Sequence, residues 1–274
     1  MAAVTVTKHA SGDAMAAAAA DLLAAAVRGV GDARRCCVAL AGGSTPKKLY
    51  ALLDGQNFHG AVAPVPPKYF FGDVRMVPDD HADSNFKMAH DAWLKNVPPG
   101  DVFKVDTAAA PEAAAAAYGE VLARECTAPR EAAMGGLPAP VLDVVLLGVG
   151  PDGHTLSLFP GTPAPAAAAI CTPCMPPAAV SPHVARVSVT AAVVYEARHV
   201  IVMVTGAEKA EAVKGILAPG NLGAVYGEVA ATAKAAYAKQ LPAGAVPVAR
   251  LVRGCRGKVT LMLDDAVAAA AGVQ

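Results

Sequence analysis

Short apolar runs alternate with stretches that place apolar residues at helical spacing along most of the chain. The runs are typical of buried strands, and the stretches between them are typical of helices. We predict strands at 4–6, 36–40, 69–71, 142–147, 186–190, 199–204 and 259–263. We predict helices at 13–30, 45–53, 111–124, 208–217 and 264–271, with one more that begins after Ser84.

The segments between these elements contain turn and loop signals. Ser44 or Thr45 is expected to cap the helix at 45–53, with Pro46 in its first turn. Two segments rich in proline, glycine and alanine, 128–140 and 160–182, are predicted to be loops. The chain has no internal repeat and no long polar linker, so we expect a single domain over 1–274.

Alternating strands and helices predict the fold class. They favour an α/β protein with a mainly parallel sheet covered by helices on both faces. In such sheets ligands collect at the carboxyl ends of the strands. Four predicted turns lie at such ends, namely 41–46, 72–75, 148–154 and 206–209.

Composition narrows the function classes. Lys and Arg total 23, as do Asp and Glu, so the formal net charge is zero and does not favour nucleic-acid or membrane-surface binding. An anionic ligand would therefore need a local cluster of cations. No apolar stretch has the roughly 20 residues needed to span a bilayer, and no secretory signal is evident. We expect a cytoplasmic protein, or a plastid protein if a targeting segment has been removed.

The six cysteines are scattered, which suits a reducing compartment. Cys171 and Cys174 form the one close pair. No second pair of ligands at similar spacing follows, so a zinc site is not expected. The pair is predicted to lie in an ordinary loop, with a redox switch as the alternative.

The glycines of 148–153 spell GxGxxG after an apolar run, the outline of a dinucleotide-binding turn. That type of site needs an acidic residue about twenty positions later, to hold the ribose. No Asp or Glu occurs between His154 and Tyr195, and Pro160 would cut the following helix short. A nicotinamide cofactor is therefore not expected.

The turn at 41–46 is a better candidate for binding an anion. Two glycines allow close approach of the backbone, and the free amides and dipole of the following helix attract negative charge. The alternative is a structural turn in which Ser44 only caps the helix. Asp73, Arg75, Arg186 and Lys209 lie near other predicted strand ends, and each could equally be an ordinary surface charge.

His154 follows Asp152-Gly153 directly after a predicted strand. A lone histidine is more often structural than catalytic. Glycines and a carboxylate that could orient the imidazole surround this one, however, which suits a general base. The other six histidines lack such surroundings.

Together these motifs resemble those of the 6-phosphogluconolactonase family. The matching segments are Gly42-Gly-Ser-Thr-Pro46, Gly72-Asp-x-Arg75, Asp83-Ser-Asn85, Gly148-x-Gly-x-Asp-Gly-His154, Ser157-Leu-Phe-Pro-Gly161, Arg186-x-Ser-x-Thr190, Gly206-x-x-Lys209 and Leu263-Asp264-x-Ala266. Their order and spacing fit over about residues 4 to 270. The chain departs from the family at Val74, where glutamate is usual, and Cys171-x-x-Cys174 is not part of the family pattern.

The resemblance implies a Rossmann-like α/β enzyme that hydrolyses 6-phospho-D-glucono-1,5-lactone to 6-phospho-D-gluconate. This reaction is the second step of the oxidative pentose phosphate pathway, and neither a metal nor an organic cofactor is expected. His154 would be the general base, with Asp152 or Asp73 as its orienting carboxylate. The candidates for binding the phosphate and the oxyanion are Gly42, Gly43, Ser44, Thr45, Arg75, Arg186 and Lys209. The expected ligand is a small sugar phosphate, without nucleic-acid or membrane partners.

Two alternatives share part of this pattern. Glucosamine-6-phosphate deaminases also carry the Gly-Gly-Ser-Thr-Pro and Asp-Gly-His elements, but show Ala-Phe-Asn-Glu-Pro after the histidine. This chain has Leu156-Ser-Leu-Phe-Pro160 there, without a carboxylate. A non-catalytic sugar-phosphate sensor would be expected to have lost the base, whereas His154 is present.

Overall fold

The computed structural model describes residues 4–31, 34–56, 58–62, 65–126, 133–134, 137–138, 140–218 and 246–273. Its strands are β1 Val4–His9, β2 Cys37–Leu40, β3 Lys68–Phe71, β4 Asp73–Arg75, β5 Val102–Phe103, β6 Ala133–Met134, β7 Leu137–Pro138, β8 Val144–Leu147, β9 Cys171–Cys174, β10 Arg186–Val189, β11 His199–Val204 and β12 Lys258–Asp264. Its helices are α1 Gly12–Val30, α2 Ser44–Gly55, α3 Phe58–Ala61, α4 Asn85–Ala92, α5 Pro111–Glu125, α6 Ala191–Glu196, α7 Ala210–Leu217, α8 Pro247–Gly254 and α9 Asp265–Ala271.

A parallel sheet of seven strands forms the centre, in the order β1-β12-β11-β8-β2-β3-β5. The α/β prediction with a mainly parallel sheet is confirmed. The chain builds outward from β2 through β3 to β5, then returns to β8 on the other side of β2 and builds outward again. The strand order therefore reverses between β2 and β8. In open α/β sheets the crevice beyond such a reversal is the usual ligand site.

A second, antiparallel sheet has the order β4-β10-β9. The sequence predicted only one of its three strands, β10. The pattern predicted β10 but ended a strand at Gly72-Asp73, where the chain instead enters β4. The predicted loop at 160–182 was wrong in part, because Cys171–Cys174 forms β9 along β10. This segment contains a proline and has no strand pattern of its own. Pairing with the buried strand β10 supplies the hydrogen bonds that order it. The predicted loop at 128–140 lies mostly outside the described residues, apart from the β6–β7 pair.

Most other predicted elements are present within one or two residues of their expected bounds. The start of α2 is an exception, because Gly43 holds the N-cap position and no side chain caps the helix. Ser44 and Thr45 instead lie inside the first turn. Since Gly43 has no side chain to accept hydrogen bonds, the first amides of α2 remain available to a ligand.

The core lies on both faces of the large sheet. The central strands β2, β8 and β11 are completely buried. This burial accounts for their continuous apolar runs, since a strand covered on both faces has no solvent side. No helix within the described part of the chain is long and apolar enough to cross a membrane.

Candidate active site

A cavity of about 200 Å³ opens at the carboxyl ends of β2 and β8. It therefore lies where the strand order reverses. Its lining includes most of the residues that the sequence singled out: Gly42, Gly43, Ser44, Thr45, Asp73, Arg75, His154, Arg186 and Lys209. Asp152 is not in the lining but contacts His154. The fold thus brings four separate turns together, although their chemical roles remain predictions.

The turn after β2 is held from two sides. The buried Tyr50 hydroxyl accepts from the Ala41 amide at 2.9 Å and donates to the Ala41 carbonyl at 2.8 Å. On the other side, the hydroxyls of Thr45 and Thr205 lie 2.8 Å apart and link the start of α2 to the end of β11. The free amides of the first turn of α2 are thereby kept at the edge of the cavity, as a site for a phosphate or oxyanion requires.

His154 is oriented by its neighbour two residues earlier. Its Nδ1 lies 2.5 Å from Asp152 Oδ1, and the same carboxylate oxygen accepts from the His154 amide at 3.1 Å. A carboxylate only accepts hydrogen bonds, so a neutral imidazole carries its proton on Nδ1 and leaves the lone pair on Nε2. No hydrogen-bond partner for Nε2 is found among the described residues, which leaves this nitrogen available as a base.

The turn that carries His154 tolerates no side chain at Gly150. A Cβ atom there would lie 2.2 Å from the imidazole and 2.8 Å from the Asp152 carboxylate. The glycine therefore permits the imidazole and the carboxylate to fold back against the backbone. Gly150 thus makes room for the His154 imidazole.

Asp73 does not contact His154, contrary to one of the two orientations that the sequence allowed. Its Oδ2 accepts from Ser157 Oγ at 2.7 Å, and its backbone carbonyl accepts from Asn85 Nδ2 at 2.9 Å. Both partners are buried, and Asn85 also lines the cavity. Asp73 is thus a buried carboxylate that neighbouring polar groups hold at the cavity wall.

Arg75 and Arg186 occupy facing positions on β4 and β10. Burial lowers the pKa of the Arg186 guanidinium, and the positive charge of Arg75 lowers it further. The two side chains bond to backbone carbonyls, of Asp83 at 2.8 Å and of Pro182 at 3.0 Å. The Nε atoms of both are buried without a hydrogen-bond partner in the described structure. Both side chains line the cavity, and neither forms an ion pair with a described carboxylate, although the charges of Asp73 and Asp83 act on Arg186 and raise its pKa.

Phe159 links His154 to one of these cations. Its ring centroid lies 4.5 Å from that of His154, and the Arg186 guanidinium lies 5.3 Å above the same ring. Phe159 is fully buried and so fixes the spacing of the two polar groups. Only its place in the Ser-Leu-Phe-Pro-Gly motif could have indicated this position, and the residues alone did not assign it a role.

Lys209 reaches the cavity from the turn that follows β11. The Gly206 amide donates to the Asp264 carboxylate at 3.2 Å, and Asp264 also caps α9 by accepting from the Val267 amide at 2.9 Å. Asp264, from the last motif in the sequence, thereby anchors the turn that carries Lys209.

Val74 lies in the core, facing Val187 across β4 and β10. Since side chains alternate along a strand, Val74 points away from the face that carries Asp73 and Arg75. The departure from the usual glutamate is therefore compatible with the positions of its two neighbours.

Metal and redox sites are not apparent. Over the part of the chain that the structure describes, no group of three or more His, Cys, Asp or Glu side chains could hold a metal ion. All six cysteines are free thiols. Burial raises the pKa of Cys174 to about 12 and also raises that of Cys171, which disfavours the thiolate needed for redox exchange.

The motifs and geometry match one family. The family described as glucosamine-6-phosphate isomerases/6-phosphogluconolactonase matches residues 10–246. The chain is 39% identical over 186 residues to a 6-phosphogluconolactonase of Synechocystis sp., an alignment covering 66% of this chain and 71% of that protein. It is 33% identical to 6-phosphogluconolactonase 3, chloroplastic, of Arabidopsis thaliana, covering 66% of this chain and 55% of that protein.

Solved structures extend the similarity over nearly the whole chain. The 6-phosphogluconolactonase of Trypanosoma brucei superposes with a TM-score of 0.79 at 34% identity, covering 98% of this chain and 99% of that one. A monomeric glucosamine-6-phosphate deaminase superposes with a TM-score of 0.70 at 17% identity, covering 98% and 100%. The second similarity concerns the fold alone.

Proposed function

The chain belongs to the family of glucosamine-6-phosphate isomerases and 6-phosphogluconolactonases, and we propose that it hydrolyses 6-phospho-D-glucono-1,5-lactone to 6-phospho-D-gluconate. This reaction is the second step of the oxidative pentose phosphate pathway. The proposal treats the chain as one sugar-phosphate lactonase domain that needs no metal or organic cofactor. The relatives named chloroplastic make a plastid as well as the cytoplasm a plausible compartment.

One observation carries the proposal, namely the set of unpaired cations beside an oriented imidazole. Arg75, Arg186 and Lys209 line the same cavity, and none of them forms an ion pair with a described carboxylate. Arg186 is buried, whereas Arg75 and Lys209 are half-buried. Withdrawing cations from water without partners is unfavourable unless an anion completes the site. A phosphate group carries about two negative charges at neutral pH and several acceptor oxygens, so it fits these groups and the free amides of α2.

The proposed chemistry uses His154 as a general base. Nε2 removes a proton from water, and the resulting hydroxide attacks the lactone carbonyl carbon. The negative charge that develops on the carbonyl oxygen needs stabilisation by the amides or cations of the cavity. Collapse of the intermediate breaks the bond between the carbonyl carbon and the ring oxygen, which takes the proton from the imidazolium. Asp152 stabilises the imidazolium between these two proton transfers.

The residues after His154 favour a lactonase over a deaminase. Ser157, Leu158 and Phe159 are buried, and none of them supplies a carboxylate. Ring opening of an amino sugar and release of its amine need a further proton shuttle, for which this segment has no evident group. Attack of one water on a strained ester needs only the base and oxyanion stabilisation.

A direct comparison of two substrates tests the proposal. Purified protein in the presence of a chelator is given freshly made 6-phosphogluconolactone, and acid release is followed against spontaneous hydrolysis. The same preparation is given glucosamine 6-phosphate, and ammonia is measured. We expect acceleration of the first reaction and no ammonia from the second. Ammonia release without any acceleration of lactone hydrolysis would overturn the assignment.

A further inference from the structure

We propose that the start of α8, at Val246–Val248, is a positioning element that holds the turn carrying Asp152 and His154. The inference rests on the proposed role of His154, but it concerns residues that none of the sequence motifs contains. Two independent contacts support the inference, a backbone hydrogen bond and a side-chain contact.

The hydrogen bond joins the helix to the turn. The Val248 amide donates to the Gly153 carbonyl at 3.1 Å. Within the turn, the Gly150 amide bonds to the His154 carbonyl at 2.8 Å, and the Gly153 amide to the Gly150 carbonyl at 2.9 Å. Among described residues, Val248 supplies the one hydrogen bond that reaches 150–154 from another part of the chain.

The position of Val248 in its helix explains why its amide is available. Pro247 is the first residue of α8 and Val248 the second. An amide in the first turn of a helix has no acceptor within that helix. Without the Gly153 carbonyl, the buried Val248 amide would have no acceptor. The helix and the turn therefore satisfy each other's polar groups.

The side-chain contact is made by Val246. A Cβ on Gly153 would lie 2.4 Å from Val246 Cβ, and a Cβ on Gly215 would lie 3.5 Å from a Val246 methyl. Gly153 also has a φ of +77°, in the left-handed region that glycine adopts most readily. Val246 thus packs between the turn that carries the base and α7, the helix that follows Lys209.

Through this arrangement α7 and α8 set the position of His154 relative to Lys209. The turn that carries His154 is short and glycine-rich, and contacts from outside it, including the ring of Phe159 against His154, fix its orientation. Val246 and Val248 connect it to the packed helices α7 and α8. A displacement of about 1 Å at a reacting group can cost about a hundredfold in rate. We therefore expect changes at this contact to affect turnover more than binding.

Val248→Pro removes the amide donor at a helix position that tolerates proline. The matched control is Glu112→Pro in α5, where proline also occupies the first helical position and Glu112 the second. Glu112 is exposed and lies outside the cavity lining. Val248→Ala keeps the amide and removes only side-chain packing. We expect Val248→Ala to reduce thermal stability as much as Val248→Pro does, but to reduce turnover less.

For Val248→Pro we expect kcat to fall about tenfold or more, with KM and 6-phosphogluconate affinity within about twofold. Glu112→Pro should keep wild-type values. A second measurement does not depend on activity: the imidazole ¹⁵N resonances of His154, assigned by their loss in His154→Gln, should change in Val248→Pro and not in Glu112→Pro. If wild type shows no lactonase activity, the proposed function fails, and these resonances still test the contact.

A rescue pair covers the case in which Val248→Pro does not fold. Gly153→Ala introduces a clash with Val246 and should lower kcat, while Gly153→Ala with Val246→Gly removes the clashing side chain and should recover part of the loss. Recovery stays incomplete because alanine is strained at this φ. A double variant no better than the single one would overturn the proposal. So would a folded Val248→Pro with wild-type kcat or unchanged His154 resonances.

Discussion

Arg75 and Arg186 face each other across β4 and β10 although both carry a positive charge. Like charges in facing positions of an antiparallel pair destabilise a sheet. The chain retains this arrangement at the wall of the cavity beyond β2 and β8, where neither residue forms an ion pair with a described carboxylate. An anion bound between them, as the proposed phosphate site requires, would relieve the repulsion. The pair is therefore better suited to a ligand than to the stability of the empty protein.

Arg186→Met should weaken binding of 6-phosphogluconate because it removes one charge-assisted contact. Such a contact contributes roughly 1.5 to 3 kcal/mol, so the dissociation constant should rise about 10- to 150-fold. Calorimetric titration measures the change. Arg28→Met, at the exposed end of α1, serves as the control and should bind like wild type. Equal weakening of gluconate, which lacks the phosphate, would show that Arg186 does not recognise that group.

Lys209→Ala should have a similar effect, since Lys209 lines the cavity without an ion pair to any described residue. Its control is Lys214→Ala on α7, where Lys214 pairs with Glu211 on the surface. We expect the affinity for 6-phosphogluconate to fall only in the first variant. If both lysine variants bind 6-phosphogluconate as tightly as wild type does, Lys209 has no part in holding the substrate.

His154→Gln should remove most turnover while the fold and product binding persist. A general base contributes about 100- to 10,000-fold, and glutamine keeps a similar volume without a basic nitrogen. Rates are corrected for spontaneous lactone hydrolysis, and circular dichroism checks the fold. His90→Gln, at the exposed end of α4, is the control. Wild-type turnover in His154→Gln would remove this residue from the mechanism.

Asp152→Asn should lower kcat by at least about tenfold, because an amide cannot stabilise the imidazolium as a carboxylate does. KM should change little, since Asp152 lies outside the cavity lining. Steady-state kinetics separate the two parameters. A rise in KM with unchanged kcat would contradict the orienting role and point to direct substrate contact instead.

Stability should depend on His199 at mildly acidic pH. Burial lowers its pKa to about 4, and the charge of Lys258 contributes. The unfolded chain has a pKa of about 6.5 for histidine, so it binds more protons than the folded state between these values. Stability should therefore decrease as pH falls from about 6.5 towards 4, by at most about 3 kcal/mol from this residue.

Urea denaturation across this pH range tests the prediction. His199→Gln removes the titrating group and retains a partner for the Thr260 hydroxyl, which lies 2.9 Å from His199 Nε2. The variant should lose less stability than wild type between pH 6.5 and 4. Parallel pH dependences in the two proteins would exclude His199 as a source of the acid sensitivity.

Hydrophobic periodicity predicted six of the seven strands of the large sheet, all but the two-residue β5, and six of the nine helices in the described residues. Strand β8, and β11 after its first residue His199, are continuous apolar runs because both of their faces are covered. Strand β9 was not predictable in the same way. Its Cys-Thr-Pro-Cys sequence has no strand signal, and it is ordered by pairing with β10.

The residues by themselves identified the candidate groups for the proposed chemistry, since a histidine, a carboxylate and a glycine turn are identifiable wherever they lie. Tertiary structure alone decided their pairing. It placed Asp73 against Ser157, Arg75 opposite Arg186, and Val246 against Gly153. The physical reason is range: periodicity and capping depend on near neighbours in the chain, whereas these contacts depend on how distant strands and helices pack.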